Sequence, residues 1–306
     1  MNFFVRILGS GAALPTSRRA PSAQYVCCSN RHILIDCGEG TQMQMRKYGV
    51  HMQRISHILI SHLHGDHFFG LAGLLSTMNL LGRNKGITLY GPPELDDILY
   101  KIFSVGGNKM SFNVEFKALS FEEKTLLFED EKIELWSFPL KHRIPTCGFQ
   151  VKEKPKPYRI DSKKCKEAGV ELHQMPSLVS GRNIELNGEE VDFRRFTLTP
   201  KHSYSYSYCS DTAFDERIIP FIENSDVLYH EATFSSKHAD RAKKTYHSTA
   251  GQAALIAEKA KVKKLILGHF SSRYSEVEDL QKEAQEIFPL TLCAEDGLLI
   301  PLGSGQ

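Results

Sequence analysis

Short apolar stretches at residues 3–8, 24–29 and 32–36, parted by turn residues, predict three strands and a mixed or antiparallel start to a sheet. Residues 39–48 have helical spacing, and the apolar run at 57–60 predicts a further strand. From 68 to 81 the chain is apolar, uncharged and spotted with glycine, which predicts a buried helix. A strand at 87–90 is stopped by Gly91-Pro92-Pro93, a helix follows at 94–103, and a strand at 133–139 runs into Lys141-His142. Strands are then predicted at 193–200, 204–210, 226–230 and 264–268, with a helix at 249–261 capped by Ser248 or Thr249. The second half thus repeats the strand–helix rhythm of the first. Two sheets covered by helices, in an α/β chain, fit this better than one doubly wound sheet.

Composition adds bounds rather than a function. A chain of 306 residues can bury one large core or two small ones. The formal net charge of +2 and pI near 8.1 neither require nor exclude a nucleic-acid partner. Seven cysteines, an odd number with Cys27 and Cys28 adjacent, make a poor disulfide framework and favour a reducing, cytoplasmic compartment. Residues 1–15 are broken by Arg6 and ended by Gly9-Ser10-Gly11, so they read as a strand and loop, not a signal peptide. No apolar stretch reaches the length of a bilayer, and residues 68–82 fall short, so no membrane partner is expected.

Local charge departs from this average between residues 152 and 192. Seven basic residues between 152 and 166, including Lys152, Lys154, Lys156, Arg159, Lys163 and Lys164, face two acids, a local charge of +5. Pro155 and Pro157 stiffen the entry. By itself the segment reads first as a solvated surface loop.

The densest chemistry lies in His62-Leu63-His64-Gly65-Asp66-His67, where a predicted strand turns into a predicted helix. Open α/β sheets place their sites at the carboxyl ends of strands, and neutral imidazole is the commonest metal ligand. His142, Asp211 and His269 also end predicted strands. Singly, the two histidines could be packed or capping residues, and Asp211 the N-cap of a helix starting at Thr212. Together with the cluster they are explained economically by two zinc ions. His62, His64 and His142 would hold one, Asp66, His67 and His269 the other, and Asp211 would bridge. The donor set suits zinc, and the lack of cysteine disfavours a structural site. Two ions about 3.5–4 Å apart are the usual arrangement for in-line displacement at phosphorus.

These residues resemble the metallo-β-lactamase superfamily. Leu8 to Pro15, Asp36 to Gln42, His230-Glu231-Ala232-Thr233, His247-Ser248-Thr249 and Gly268 to Tyr274 are similar to the short-form ribonuclease Z family, over most of the chain. The resemblance implies an αββα sandwich, a single hydrolase domain over residues 1–306, with a flexible exosite arm extruded at 152–192. It implies a zinc-dependent endoribonuclease that removes the 3′ trailer of precursor tRNA, leaving a 3′-hydroxyl on the tRNA and a 5′-phosphate on the trailer. The alternative is another phosphodiesterase of this fold acting on small substrates. Asp66 would take a proton from the attacking water, and His247, held by Glu231, would protonate the leaving oxygen. The arm residues, with Lys201 and Arg273, would bind tRNA rather than DNA, in a cytoplasmic homodimer. Tyr158 to Asp161 resembles the arm's entry, whereas the tip, Gly169 to Pro176, departs from the family's Gly-Pro pattern. The early glycine loop lacks a P-loop ending and reads as a tight turn. Asp36 reads as a residue orienting a metal-binding histidine, with a plain turn role equally open.

Overall fold

The computed structural model describes residues 2–105 and 110–303; residues 1, 106–109 and 304–306 of the expected single domain lie outside the described residues. Contacts divide the chain into two compact units, one formed by residues 1–152 and 204–306, the other by 153–203.

The strands of the first unit begin with β1 (Phe3–Gly9), β2 (Ala23–Cys28), β3 (Arg31–Ile35), β4 (His57–Leu59), β5 (Ile87–Gly91) and β6 (Val114–Ala118). They continue with β7 (Thr125–Glu129), β8 (Ile133–Leu140) and β9 (Thr146–Glu153). The second unit holds β10 (Arg159–Ile160), β11 (Ile184–Leu186), β12 (Glu189–Val191) and β13 (Thr197–Leu198). Back in the first unit run β14 (Ser205–Cys209), β15 (Val227–Glu231), β16 (Leu265–Gly268), β17 (Thr291–Cys293) and β18 (Leu299–Pro301).

One seven-stranded sheet has the order β18-β1-β2-β3-β4-β5-β6 and the other β17-β16-β15-β14-β9-β8-β7. From β3 to β6, and from β14 to β17, neighbouring strands run parallel. Of these, β3, β4, β5, β15 and β16 are buried along nearly their whole length and are largely apolar, which is why they were legible. The period-2 alternation sorts their side chains. Ile33, Ile35 and Leu59 join a core with Phe149, Tyr206 and Tyr208 of the facing sheet, whereas Leu34, Ile58 and Ile60 pack on the first helical layer. That layer includes Thr41–Lys47, Leu71–Leu80 and Glu94–Val105. In Leu71–Leu80 the buried Leu71, Leu74, Leu75 and Met78 follow the i, i+3, i+4, i+7 stripe, each such burial stabilising by about 1.5–3 kcal/mol. The opposite layer includes Ala250–Lys259, whose Thr249 and Gln252 form a reciprocal capping box. The first unit is therefore the expected αββα sandwich.

Two expected elements differ. The helix at 68–81 is two, Gly65–Phe68 and Leu71–Leu80, parted at Gly70, where a Cβ would lie 2.1 Å from the Gly38 carbonyl oxygen. The strand at 193–200 is a 3₁₀ turn, Phe193–Arg195, followed by the two-residue β13; the Asp192 carboxylate captures the Arg194 N–H and starts the turn. The second unit has its own apolar cluster of Cys165, Leu178, Ile184 and Phe196. Its span of 153–203 runs past residue 192, because β13 returns to pair with β10.

Candidate metal centre and active site

Six strands of the first unit end at one place. Asp36 follows β3, Ser61 and His62 follow β4, His142 follows β8, Asp211 follows β14, Glu231 closes β15 and His269 follows β16. All seven residues expected as metal donors are brought together, and each offers an atom to a mutual cluster of nitrogens and oxygens. Around one centre, His62 Nε2 lies 3.0 Å from His64 Nδ1, which lies 3.3 Å from His142 Nε2. Around the other, His269 Nε2 is 3.3 Å from both His67 Nε2 and Asp66 Oδ2. Asp211 divides its oxygens between them. Its Oδ2 lies 3.7 and 3.8 Å from His62 and His142, and its Oδ1 lies 3.2 and 3.1 Å from His67 and His269.

These spacings fit a divalent metal. Zinc–nitrogen bonds of about 2.0–2.1 Å in a tetrahedron put donors about 3.3 Å apart. Asp211 Oδ1 is buried with no hydrogen-bond partner among the described residues, a costly state for a carboxylate unless a cation meets it. The outer sides of the rings are already engaged. Nδ1 of His67 meets Asp36 at 2.8 Å, Nδ1 of His142 the Tyr246 carbonyl at 2.9 Å, and Nδ1 of His269 the Thr233 hydroxyl at 3.0 Å. Each partner turns the free Nε2 lone pair toward the cluster.

Electrostatics sort the group. Burial pulls the imidazoles of His62, His64 and His142 below their ordinary pKa, the neutral form that binds metal. Burial would do the same to His67, but the carboxylates of Asp211, Asp66 and Asp36 outweigh it and raise its pKa well above the usual value. Burial opposes ionisation of Asp66 and Asp211 too, and neighbouring imidazoles overcome it and hold both well below the carboxylate range.

Beside the cluster, Glu231 is fully buried and saturated: it accepts the N–H groups of Thr212 and Thr233, and its Oε1 lies 2.8 Å from His247 Nδ1. Burial lowers and Glu231 raises the His247 pKa, and the net result is about 9. His247 is held at the end of helix Ala239–Thr245 by its N–H to the Ala242 carbonyl, 2.9 Å away, after Tyr246 in a left-handed conformation. No helix starts at Thr212, so Asp211 is not an N-cap.

A cavity of about 600 Å³ opens over the cluster and is lined by His64, Asp66, Asp211, His247, His269 and Arg273 among others. Of the remaining expected tRNA contacts, Lys152 is exposed on β9, and Lys154, Lys156, Arg159, Lys163, Lys164 and Lys201 lie in the second unit. Lys156 pairs with Glu153 at 2.6 Å, and Arg159 Nε donates to the Thr199 carbonyl at 3.0 Å.

Sequence reasoning missed several parts. Arg143, Arg241 and Phe69 line the cavity without any local motif to reveal them. Residues 10–22 join β1 to β2 as a long loop rather than the expected tight turn, and that loop serves the site: Ala13, at φ 61°, donates its N–H to Asp66 Oδ2 at 2.7 Å. Asp296 holds that loop by accepting from Ser10 N–H, Ser10 Oγ, Ala20 N–H and Gln44 Nε2.

A family model described as Anti-Pycsar protein Apyc1 matches residues 3–163. The ribonuclease Z of Parabacteroides distasonis is 43% identical over 298 residues, 97% of this chain and 98% of that protein. That of Porphyromonas gingivalis strain W83 is 39% identical, covering 98% and 99%. Among solved structures, the short form of human tRNase Z superposes with a TM-score of 0.71 at 29% identity, covering 98% of this chain and 100% of that one. The metallo-β-lactamase fold protein YhfI of Bacillus subtilis, at 17% identity and TM-score 0.69 over 98% and 99% of the two chains, shares the fold.

Proposed function

Since this chain belongs to the ribonuclease Z family, and its first half to the family that the Apyc1 model describes, we propose a catalytic assignment for its residues in tRNA 3′ processing. The protein is a metal-dependent endoribonuclease of precursor tRNA, and relatives matched over nearly full length disfavour a small-substrate phosphodiesterase. The observation that carries the assignment is the division of Asp211 between two sets of imidazoles, with the His247–Glu231 pair beside it.

His62, His64 and His142 would hold one ion, Asp66, His67 and His269 a second, and Asp211 would join them. Held there, divalent ions supply positive charge that polarises a phosphodiester and makes water acidic. Asp66 Oδ2, fixed by the Ala13 N–H and kept ionised by His67 and His269, accepts the proton of the attacking water. His247 engages Glu231 through Nδ1, which leaves its Nε2 proton for the departing 3′ oxygen. The tRNA keeps a 3′-hydroxyl and the trailer a 5′-phosphate. Zinc is the metal favoured by the histidine-rich donor set. A homodimer and a cytoplasmic location are carried by the family resemblance; among the described residues no helix is long and apolar enough to cross a membrane.

The second unit is proposed as the tRNA-gripping arm, its lysines and arginines giving salt-dependent affinity for a substrate recognised by shape. Cleavage of precursor tRNA with and without a chelator tests the assignment: activity that survives complete metal removal would sink it. Deleting residues 154–189 is expected to abolish tRNA processing while sparing hydrolysis of a small phosphodiester. Equal loss of both would refute a binding role.

A further inference from the structure

Two large apolar side chains stand exposed in the wall of the metal-lined cavity, Phe69 at 67% and Leu14 at 61% exposure. Leaving such groups in water is unfavourable, and both are fixed in place rather than collapsed onto the core. Phe69 lies three residues after Asp66 and four after Gly65, so all three share one face of the turn that begins at Gly65. A Cβ on Gly65 would fall 2.2 Å from the Phe69 ring; glycine there is what lets the ring lie across the start of the turn. Phe68 buttresses the ring edge-on, with centroids 5.0 Å apart. Leu14 is placed by the same carboxylate, because the preceding residue, Ala13, donates to Asp66.

The rest of the wall is cationic. Arg143, Arg241 and Arg273 are exposed there, and among the described residues none has a carboxylate within 4.0 Å. A flat apolar ring in one wall with three guanidinium groups that have no carboxylate partner among the described residues matches a polyanion that carries flat rings. We infer that Phe69, flanked by Leu14, is a stacking platform for an unpaired base next to the scissile phosphate, with the arginines taking the adjoining phosphates. This rests on the RNA-cleaving assignment above and adds a residue that positions the substrate. Stacking tolerates any base, as an enzyme acting on many tRNAs requires.

The test uses the metal-loaded protein with Phe69→Ala and Phe69→Trp, on precursor tRNA that is intact or abasic at either nucleotide flanking the cleaved bond. Phe69→Ala is expected to lose about 5- to 150-fold in kcat/KM on intact precursor, and Phe69→Trp to retain it. The alanine penalty should vanish when the stacked base is removed. In a precursor with a non-hydrolysable linkage, 2-aminopurine at that position should be quenched by the wild type and not by Phe69→Ala. An equal penalty on intact and abasic precursors, or a parallel fall in bound metal, would overturn the platform. If wild type itself fails to cut precursor tRNA, the assignment beneath it fails instead.

Discussion

Asp36→Asn tests how the outer partners hold the metal site. The Asp36 side chain is fully buried. Its Oδ1 accepts the Ser61 N–H at 2.8 Å, and its Oδ2 accepts Tyr208 OH at 2.6 Å, Ser61 Oγ at 3.0 Å and His67 Nδ1 at 2.8 Å. An amide leaves one oxygen for Ser61 N–H and turns an NH₂ group toward three donors. Ser61 Oγ has an alternative in Ser210 Oγ, 3.0 Å away, so its loss is partial. The charge-assisted bonds from His67 and Tyr208 are lost, and His67 Nδ1 keeps only a 3.5 Å approach to Ser61 Oγ. Hydrogen bonds to a charged group contribute about 1.5–3 kcal/mol each, so Asp36→Asn should destabilise by about 3–6 kcal/mol. Domain stabilities are about 5–15 kcal/mol, which makes this a large fraction. His67 would also lose the acceptor that fixes its tautomer, weakening metal binding about 10- to 100-fold. Guanidinium unfolding at fixed metal concentration measures the first effect and chelator competition the second. A variant within about 1 kcal/mol of wild type, with unchanged metal affinity, would refute the reasoning.

Three further outcomes follow from the same geometry. His247→Ala and Glu231→Gln should each lower kcat on precursor tRNA by about 10²–10⁴-fold with metal content unchanged; loss of metal by atomic absorption would make His247 a donor instead. Chelation should lower Tm, since an ion present at about 100 times its Kd stabilises by about 2.7 kcal/mol, and scanning calorimetry with and without zinc measures the shift. Gly70→Ala, whose Cβ would meet the Gly38 carbonyl oxygen at 2.1 Å, should cost about 1–3 kcal/mol in denaturant titrations, because neither backbone can swing aside.

What the sequence revealed was what is written locally. His62 to His67 lie in one turn, and several of the buried strands, such as Leu265–Gly268, are short apolar runs. What it hid depends on distant partners. β6 and β7 face solvent on one side and carry little apolar signal. At the break, the Gly70 N–H leaves the helical pattern and donates to the Cys37 carbonyl, 33 residues earlier, at 2.9 Å. Asp36 reads equally as a turn residue or an orienting one, and it is the approach of His67 Nδ1, 31 residues later, that decides for the orienting role. Asp296 reaches Ser10 across 286 residues, a separation no motif records. Phe69 and the arginines are exposed polar-surface or core-type residues by pattern, and only the cavity unites them.

The sequence separation within the donor set has a consequence in time. His67 and His269 stand 202 residues apart, and the last strand, β18, pairs with the first. At synthesis rates of about 5–20 residues per second, roughly 10–40 s separate the emergence of the first histidines from that of the last donor. A nascent chain therefore carries His62, His64 and His67 long before Asp211 and His269 exist to enclose an ion with them. Capture of a metal ion at the proposed Asp66–His67–His269 centre would belong to the end of translation. A chain truncated before His269 would be unable to close that centre, so a filled centre marks a ribosome that has read past it.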